Sequence, residues 1–203
     1  MAYNPNLHHR RSIRLREWDY SGPGGYFVTI CSYRRESMFG EIRNGRMDLN
    51  SYGEIVQQSW VDLPKHYHNI LLDEFVIMPN HVHGIIVIVD DIVVDNTNSA
   101  VGASLRLAPT EIRHDTQPAP TERWNAMNHR PVSEIVRAFK SFSARRINGL
   151  RDAIGVGVWQ RNYYERIIRN EKELRRVREY IAFNPSKWAF DEENPENGDG
   201  AGT

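Results

Sequence analysis

The chain has little cysteine and no long apolar run, and both absences restrict the kind of protein it can be. Cys31 is the single cysteine among 203 residues, which excludes an intramolecular disulfide framework and a cysteine-rich zinc site. The longest apolar run, 84–89, is far shorter than the ~18–20 residues of a membrane-spanning helix. Residues 1–18 carry charge where a signal peptide needs an apolar stretch. We therefore expect a cytoplasmic protein without a membrane anchor.

The net charge of the chain is zero, but the charges are segregated along it. Residues 130–180 hold thirteen Lys and Arg against six Asp and Glu, a local net charge of +7. A basic block inside a neutral chain favours a polyanionic partner, although a solvated helix face has the same composition. The 40% share of hydrophobic residues is enough for a sizeable core and excludes a wholly disordered chain.

Composition divides the chain into one domain and three flanking or inserted segments. Residues 1–20 are polar and basic and are predicted to form an arm, and residues 21–188 are predicted to form the domain. Residues 90–128 are rich in Asn, Thr, Ala and Pro without sustained periodicity, which indicates a flexible insertion and not a second domain. Residues 189–203 are predicted to be an acidic, disordered tail.

Periodicity and turn residues within the domain predict the element order β-β-β-α-β-β-α-β-α. Strands are expected at 26–31, 71–78, 82–89 and 158–168. A hairpin is expected at 41–48, because its Asn-Gly pair suits a type I′ turn. This order predicts an α+β fold, an antiparallel β-sheet flanked by helices.

Capping residues mark the ends of the three predicted helices. Ser51 and Glu54 have the spacing of a capping box at the start of the first helix. Pro131 is expected at the first position of the second helix, where its missing N–H has no cost. The third helix is expected to be capped by Asn170 and to stop at Pro185.

Two histidines flank one valine near the start of a predicted strand. Because side chains alternate along a strand, His81 and His83 should point to one face and Val82 to the other. Two imidazoles on one strand face can offer two nitrogens to a single divalent cation. A pair of hydrogen-bonded structural histidines has the same spacing, so the pair alone leaves both interpretations open.

A second pair of polar residues lies at the end of the last predicted helix. Tyr180 and Asn184 are four residues apart, so a phenol and an amide oxygen can meet on one helix face. A phenol is mostly protonated at neutral pH and needs a nearby cation to become a nucleophile. The Asn184 oxygen could supply a ligand that two histidines leave open. A packing tyrosine is the alternative, and Pro185 is expected to hold Asn184 away from helical angles.

The order of these segments resembles the single-tyrosine HUH transposases, and most of all their REP-associated tyrosine transposase branch. The resemblance rests on the His-Val-His strand at 81–83, the Trp-Gln-Arg segment at 159–161 and the Tyr-Ile-x-x-Asn-Pro helix end at 180–185. It covers about 26–188 apart from 90–128, and it implies the ferredoxin-like HUH endonuclease fold. Mobile insertion-sequence members usually have Gln where this chain has Asn184, which leaves open whether the protein moves an element and whether it is a monomer or a homodimer.

The resemblance also implies an activity. Enzymes of this kind cleave single-stranded DNA that bears a hairpin, with Mg²⁺ or Mn²⁺ and without a nucleotide cofactor. By position, Tyr180 would form a 5′-phosphotyrosine link and leave a free 3′-OH, while His81, His83 and Asn184 would hold the metal. The basic residues that we expect to contact the DNA are Arg10, Arg11, Arg14, Arg137, Lys140, Arg145, Arg161 and Arg166.

Two other function classes stay open on the sequence alone. One is a hairpin-binding protein that lacks catalysis. The other is a His-x-His metallohydrolase that uses an activated water and needs more ligands, for which the nearby supply is His66, His68, Asp73 and Glu74. Tyr163 and Tyr164 are rival nucleophiles, but neither has an amide partner one helical turn away, so packing or base stacking is expected of them.

Overall fold

The computed structural model describes residues 22–89, 130–191 and 193–197. The predicted arm at 1–20 and the predicted insertion at 90–128 lie outside the described residues. The strands are β1 (Gly24–Cys31), β2 (Gly40–Arg43), β3 (Arg46–Leu49), β4 (Ile70–Ile77), β5 (His81–Ile88) and β6 (Tyr164–Ile168). The helices are α1 (Ser51–Val61), α2 (Leu63–His66), α3 (Val132–Leu150) and α4 (Glu171–Phe183), with 3₁₀ turns at Tyr33–Arg35, Pro185–Phe190 and Pro195–Asn197.

Four strands form an antiparallel sheet in the order β4-β5-β1-β6, and β2 pairs with β3 in a separate hairpin. The chain leaves β1 and returns through α1 to β4, and it leaves β5 and returns through α3 to the other edge at β6. This arrangement is of the ferredoxin-like kind. The predicted α+β fold, an antiparallel sheet with helices packed on it, is confirmed.

Helices cover both faces of this sheet, and they divide the core in two. On one face α1 and α3 pack on Tyr26, Val28, Val82 and Ile86. On the opposite face α4 packs on Phe27, Ile85, Val87 and Ile168. Because side chains alternate along β5, the two histidines share the face that α4 covers. The central strand β5 is buried over its whole length.

Gly84 of β5 allows the large ring of Trp60 to lie directly on the sheet. A Cβ added at Gly84 would come within 2.3 Å of a Trp60 ring carbon, closer than packed atoms approach. Trp60 is fully buried and packs edge-on against Phe139 of α3, with ring centroids 5.3 Å apart. The strand that carries the histidines is thus supported from the opposite face by closely packed aromatic rings of the core.

Two of the three predicted helix starts differ from the observed ones by one residue. Asn50, not Ser51, is the N-cap of α1, because its side-chain oxygen accepts from the backbone N–H groups of Tyr52 (2.9 Å) and Gly53 (3.0 Å). Pro131 is the N-cap of α3 and not its first residue, because its ψ of 151° is extended. The cap of α4 is confirmed, since Asn170 accepts from the backbone N–H of Glu173 at 2.9 Å.

Three further predictions are confirmed or corrected by the backbone. The hairpin turn is of the I′ kind, with φ of 53° at Asn44 and 72° at Gly45. The expectation for Asn184 is wrong: its φ of −57° and ψ of −46° are helical, because the chain runs directly from α4 into the 3₁₀ turn that begins at Pro185. The strand predicted at 158–168 is regular only from Tyr164, and Trp159 forms an isolated bridge with Ser32.

The segment that follows Pro185 packs against the domain. The prediction of a disordered tail from residue 189 is wrong for 189–191 and 193–197, which include a 3₁₀ turn and the buried Asn194. Asn194 donates to the backbone carbonyl of Trp188 at 3.1 Å, and Glu193 pairs with Arg35 at 2.9 Å. These polar contacts hold in place a segment whose acidic composition is typical of a disordered tail. None of the helices in the described ranges is long and apolar enough to span a bilayer.

Candidate active site

His81 and His83 lie side by side on β5 beneath α4. Both side chains are buried, with exposed fractions of 0% and 2%. Their Nε2 atoms are 2.9 Å apart, and Val82 packs in the core on the other side of the sheet. Two unprotonated nitrogens at this distance repel each other, so a proton or a cation must lie between them. The predicted shared face of the two histidines is confirmed.

Asn80 fixes the tautomer of His81. Its Nδ2 donates to the backbone carbonyls of Arg35 (3.0 Å) and Glu193 (2.6 Å), which leaves its Oδ1 as an acceptor. That oxygen lies 2.8 Å from His81 Nδ1, so the network assigns the proton of the neutral ring to Nδ1 and leaves Nε2 bare. A histidine whose outer nitrogen is held by a hydrogen bond, with the other nitrogen free to ligate, is the usual arrangement at a metal site.

His83 is held in a comparable way by the neighbouring strand. Thr29 faces it in the β1–β5 register, and Thr29 Oγ1 lies 2.8 Å from His83 Nδ1. Burial lowers the pKa of His81 to about 3, with the Arg35 charge adding to the effect. Burial also lowers the pKa of His83 well below 6.5, with the charge of His81 adding to it. Both rings are therefore neutral at pH 7, which is the state a metal ligand requires.

Asp191 supplies a third donor, from the segment predicted to be disordered. One ligand atom each from His81, His83 and Asp191 lie within 4.8 Å of one another, so this group could hold a metal ion. Asp191 is half-buried, and its Oδ1 accepts the backbone N–H of Glu193 at 2.7 Å. A carboxylate beside two neutral imidazoles is a donor set that suits a divalent cation.

Asn184 contacts this third donor. Its Nδ2 donates to Asp191 Oδ2 at 3.1 Å, which orients the carboxylate. Its Oδ1 is buried and accepts no hydrogen bond from any residue that the structure describes. A buried carbonyl oxygen without a donor has the capacity to ligate a cation. Ligation by Asn184 stays a prediction, and the contact with Asp191 gives it a positioning role as well.

Tyr180 projects from α4 over the histidine pair. Its hydroxyl lies 3.1 Å from His83 Nε2, and its ring meets those of His83 and Phe27 at centroid distances of 5.0 and 5.9 Å. The residue is 48% exposed, so part of the side chain is open to solvent. The structure thus brings the predicted nucleophile to the predicted metal ligands, and the packing that positions it is aromatic.

The additional ligands that a metallohydrolase would need do not join this group. The His66 ring packs on Phe142 of α3 at 5.0 Å, on the sheet face opposite to the histidine pair. Asp73 is bound by Arg178 through two hydrogen bonds. Within the described parts of the chain, the one group of metal-ligating side chains is the His81–His83–Asp191 group.

Lys140, one of the predicted DNA contacts, has hydrogen-bond partners within the protein, and its contact with DNA stays a prediction. Its ammonium group is half-buried and donates to the backbone carbonyls of Gln160 (3.0 Å), Asn162 (3.0 Å) and Arg161 (3.5 Å). Burial lowers the pKa of Lys140 to about 8. The side chain thereby ties α3 to the segment before β6, and its three N–H groups have partners within the protein.

The predicted arginine contacts are divided between two faces. Arg137 and Arg145 are exposed on α3, which packs on the face opposite to the histidines. Arg166 lies on β6 on the same face as the histidines, where it pairs with Glu173 of α4 at 2.6 Å. Arg161 is exposed before β6. The remaining predicted contacts lie outside the described residues: Arg10, Arg11 and Arg14.

The two rival tyrosines have different surroundings. The Tyr163 hydroxyl donates to Glu165 Oε2 at 2.5 Å, and Tyr163 packs against the core beneath α1 and α3, away from the histidines. Tyr164 lies on the α4 side, where its ring meets Phe27 edge-on at 6.2 Å. Neither hydroxyl is paired with the histidines, and Tyr180 is the tyrosine that the structure places there.

Sequence reasoning missed three residues of the site: Thr29, Asn80 and Asp191. Thr29 meets His83 only through the pairing of β1 with β5, which hydrophobic alternation does not specify. Asn80 lies between the strands predicted at 71–78 and 82–89, where an asparagine after a proline indicates only a turn. Asp191 stood in a polar, acidic stretch whose composition indicates disorder, and the signal that could have found it is its closeness to the Asn-Pro helix end.

Comparisons with known proteins bear on the family and the fold. No protein-family model matches the chain. A protein of Haemophilus influenzae (strain Rd), described as an uncharacterized protein, is 39% identical over 193 residues, which are 94% of this chain and 96% of that protein. The solved structure of a REP-associated tyrosine transposase bound to a REP hairpin superposes with a TM-score of 0.51 and 17% identity, over 90% of this chain and 77% of that one. The chain therefore belongs to one family with the Haemophilus influenzae protein, and its fold is that of the REP-associated tyrosine transposase, as the motifs at 81–83 and 180–185 predict.

Proposed function

We propose that the protein is a transposase-like endonuclease and strand transferase for single-stranded DNA, with Tyr180 as its nucleophile. The observation that carries the proposal is the 3.1 Å distance between the Tyr180 hydroxyl and His83 Nε2, next to a carboxylate and a second imidazole. A half-exposed tyrosine above buried, neutral imidazoles can meet a phosphodiester, while the sheet and α4 fix its position. The fold shared with a solved tyrosine transposase supports the same reaction class.

In the proposed reaction the Tyr180 oxygen attacks the phosphorus of a backbone phosphodiester. The new O–P bond forms as the bond to the 3′ oxygen breaks, which leaves a 5′-phosphotyrosine and a free 3′-OH. The phenol loses one proton and the leaving 3′ oxygen gains one, through solvent, so the step balances without a co-reactant. Attack of a 3′-OH on the phosphotyrosine reverses the step and joins strands, so no nucleotide cofactor is needed.

The donor set fits a divalent cation, for which we propose Mg²⁺ or Mn²⁺. Two neutral imidazole nitrogens and one carboxylate oxygen converge, and the buried Asn184 Oδ1 has no donor among the described residues. When bound, the cation would polarise the phosphate and favour loss of the phenol proton. The chain's own contribution is to hold His81 and His83 neutral and oriented, and to keep the Tyr180 oxygen beside them.

The proposed substrate is a single DNA strand that folds into a hairpin. The neighbour of the same fold is bound to a REP hairpin, and the stretch from 130 to 180 has a local charge of +7 that favours a polyanion. Arg137, Arg145, Arg161 and Arg166 are exposed basic residues of that stretch, and we propose that they and the arm residues Arg10, Arg11 and Arg14 contact phosphates.

The test is the covalent adduct. The full chain is incubated with hairpin oligonucleotides labelled at the 5′ or the 3′ end, with Mg²⁺ or Mn²⁺, and then denatured. We expect the 3′ label to migrate with the protein and the 5′ label to appear as a shorter free fragment. Tyr180→Phe should lose the adduct, whereas Tyr163→Phe, the matched control whose hydroxyl bonds Glu165, should keep it. His81→Ala and His83→Ala should lose cleavage and keep the fold.

Other outcomes would assign the protein to the competing classes. Hairpin binding without cleavage under either metal would make it a DNA-binding protein that lacks catalysis. Cleavage without any adduct, retained in Tyr180→Phe, would indicate a metallohydrolase. An adduct that persists in Tyr180→Phe and disappears in Tyr164→Phe would move the nucleophile to β6.

A further inference from the structure

A cleft opens on the far side of Tyr180 from the metal-ligating group. It has a volume of about 550 Å³ and lies between the edge strand β6 and the N-terminal half of α4. Four basic side chains line it: Arg166, Arg169, Lys172 and Arg176. The one carboxylate on its wall, Glu173, pairs with Arg166 and accepts the backbone N–H of Arg169 at 3.0 Å, so the cleft keeps a positive excess.

Aromatic rings form part of the same cleft. Phe27 and Tyr164 line it, with their centroids 6.2 Å apart in an edge-on arrangement, and Tyr164 is half-buried. An aromatic ring beside four basic side chains matches a single-stranded nucleotide, whose base offers a flat face and whose phosphate offers a charge. Paired bases in a duplex have their faces covered, so a duplex does not satisfy such a surface.

The position of the cleft relative to the histidines specifies which nucleotide it would take. Across the sheet the order is β5, β1, β6, so Phe27 of β1 separates His83 on β5 from Tyr164 on β6. Tyr180 packs edge-on against Phe27 and lines the cleft while its hydroxyl points to His83. The leaving 3′ oxygen departs on the side of phosphorus opposite to the attacking phenol. The fragment that stays attached to Tyr180 is the one that can occupy the cleft beside it.

We infer that the cleft between β6 and α4 binds the first unpaired nucleotide on the 3′ side of the cut, with its base on Tyr164 and its next phosphate on Arg176. The inference rests on the proposed function for the position of the cut, but the affinity of the cleft for a single strand does not depend on any chemistry. Such a cleft would hold the covalent fragment during the lifetime of the adduct and would select unpaired DNA at the cut.

The affinity is tested in the full chain carrying Tyr180→Phe, without metal, so that no cleavage interferes. The probe is a fluorescein-labelled oligo(dT) of about 12 nucleotides, a length within the range of single-strand sites, measured by anisotropy over a salt series. We expect Arg176→Ala to weaken binding and to lower the log–log salt slope by roughly 0.7, the value for one phosphate contact. Tyr164→Leu should weaken binding roughly five-fold or more through lost stacking.

Arg175 gives the matched control, because it is exposed on the same helix turn and does not line the cleft. Arg175→Ala should leave the affinity close to that of the parent. An equal loss of affinity in Arg175→Ala and Arg176→Ala would mean that the loss reflects only the net charge of the helix, and it would overturn the inference. Unchanged binding in both Arg176→Ala and Tyr164→Leu would overturn it as well. Arg176 is exposed, so its variant reports on the cleft even where Tyr164→Leu is unstable.

The 3′-side assignment is tested separately, once adduct formation has located the cut. The fluorescence of 2-aminopurine placed immediately 3′ of the cut should be quenched on binding, and this quenching should be lost in Tyr164→Leu. The fluorescence of the same base placed 5′ of the cut should not change with this variant. Quenching on the 5′ side alone would overturn the assignment. Absence of an adduct would refute the proposed function, while the oligo(dT) measurements would still decide whether the cleft binds a single strand.

Discussion

Arg178 of α4 and Asp73 of β4 join the helix that carries Tyr180 to the sheet. Arg178 Nε and an Nη atom donate to the two Asp73 oxygens at 2.8 and 2.5 Å, and the side chains are only 29% and 8% exposed. Asp73 lies at the irregularity of the β4–β5 ladder between Leu72 and Phe75, and a bulge of this kind re-aims a side chain. Because Arg178 is two residues from Tyr180, this ion pair anchors to the sheet the helix turn that carries the hydroxyl.

Asp73→Ala is therefore expected to disturb the nucleophile through the helix. The change leaves Arg178 largely buried without its carboxylate, which should cost about 1–3 kcal/mol of unfolding free energy. Strand cleavage should fall while the affinity for Mn²⁺, measured by calorimetry, stays the same, because no metal donor is touched. Glu74→Ala, an exposed neighbour, is the control. A loss of Mn²⁺ binding equal to the loss of cleavage would mean that the whole site has collapsed.

The same pair predicts an acid-dependent part of the stability. Burial raises the pKa of Asp73, but the hydrogen bonds and charge of Arg178 outweigh it, and the pKa lies below its usual value. A depressed carboxyl pKa contributes stability that is complete above the unfolded value of about 3.9 and is lost as the pH falls through the folded value. Urea unfolding should show the gap between the wild type and Asp73→Ala shrinking below about pH 4. A gap that is constant down to pH 2 would contradict the ion-pair contribution.

Thr29→Val tests the support of His83. Valine keeps the branched shape of threonine on β1 and removes the hydroxyl that lies 2.8 Å from His83 Nδ1. Loss of an outer hydrogen bond to a ligating histidine typically weakens metal binding about 10–100-fold, and we expect a loss of this size for Mn²⁺. Thr29→Ser restores the hydroxyl and should recover most of the affinity. Equal affinities in the Val and Ser variants would show that this hydrogen bond does not orient the ring.

Much of the fold follows from short-range signals in the sequence. The Asn44-Gly45 turn, the Asn170 cap and the alternation that puts His81 and His83 on one face are each determined by a few adjacent residues. Spacing alone also placed Tyr180 and Asn184 at one end of a helix. These features depend on backbone geometry, which local sequence specifies well.

The parts of the site that the sequence did not predict depend on long-range pairing. Asp191 reaches the histidines because the chain after Pro185 folds back, and its polar composition indicates the opposite. Thr29 and His83 are 54 positions apart and meet through strand register. Lys140 is a basic residue within a basic stretch, which predicts a DNA contact. Only the structure shows that three carbonyl groups accept its N–H groups. The sequence shows that a residue is charged, but it does not show which group that charge contacts.

Substitutions of Lys140 and Arg137 should accordingly have opposite effects, one on stability and the other on DNA binding. Lys140→Met removes the tie between α3 and the segment before β6, so it should lower the unfolding free energy by about 1–3 kcal/mol and leave the salt slope of DNA binding unchanged. Arg137→Ala, at an exposed position of the same helix, should leave stability unchanged. If Arg137 contacts a phosphate, its variant should lower the slope by roughly 0.7. A lower slope in Lys140→Met, with normal stability, would show that Lys140 contacts the DNA.

Asp191 and Asn184 can be distinguished as donors by the size of their effects. Asp191→Asn keeps the shape and removes the charge, so Mn²⁺ affinity should fall by roughly 10–100-fold or more if the carboxylate ligates. Glu193→Gln is the matched control, because Glu193 lies in the same segment and its carboxylate pairs with Arg35 outside the donor group.

Asn184→Ala removes both the hydrogen bond to Asp191 and the buried oxygen, whereas Asn184→Gln retains an amide oxygen and should keep part of the affinity. If Asn184 acts only by holding Asp191, Asn184→Ala should have no effect in an Asp191→Asn background. An additional loss in that double variant would make Asn184 a ligand in its own right, and normal Mn²⁺ binding in Asp191→Asn would exclude the carboxylate from the site.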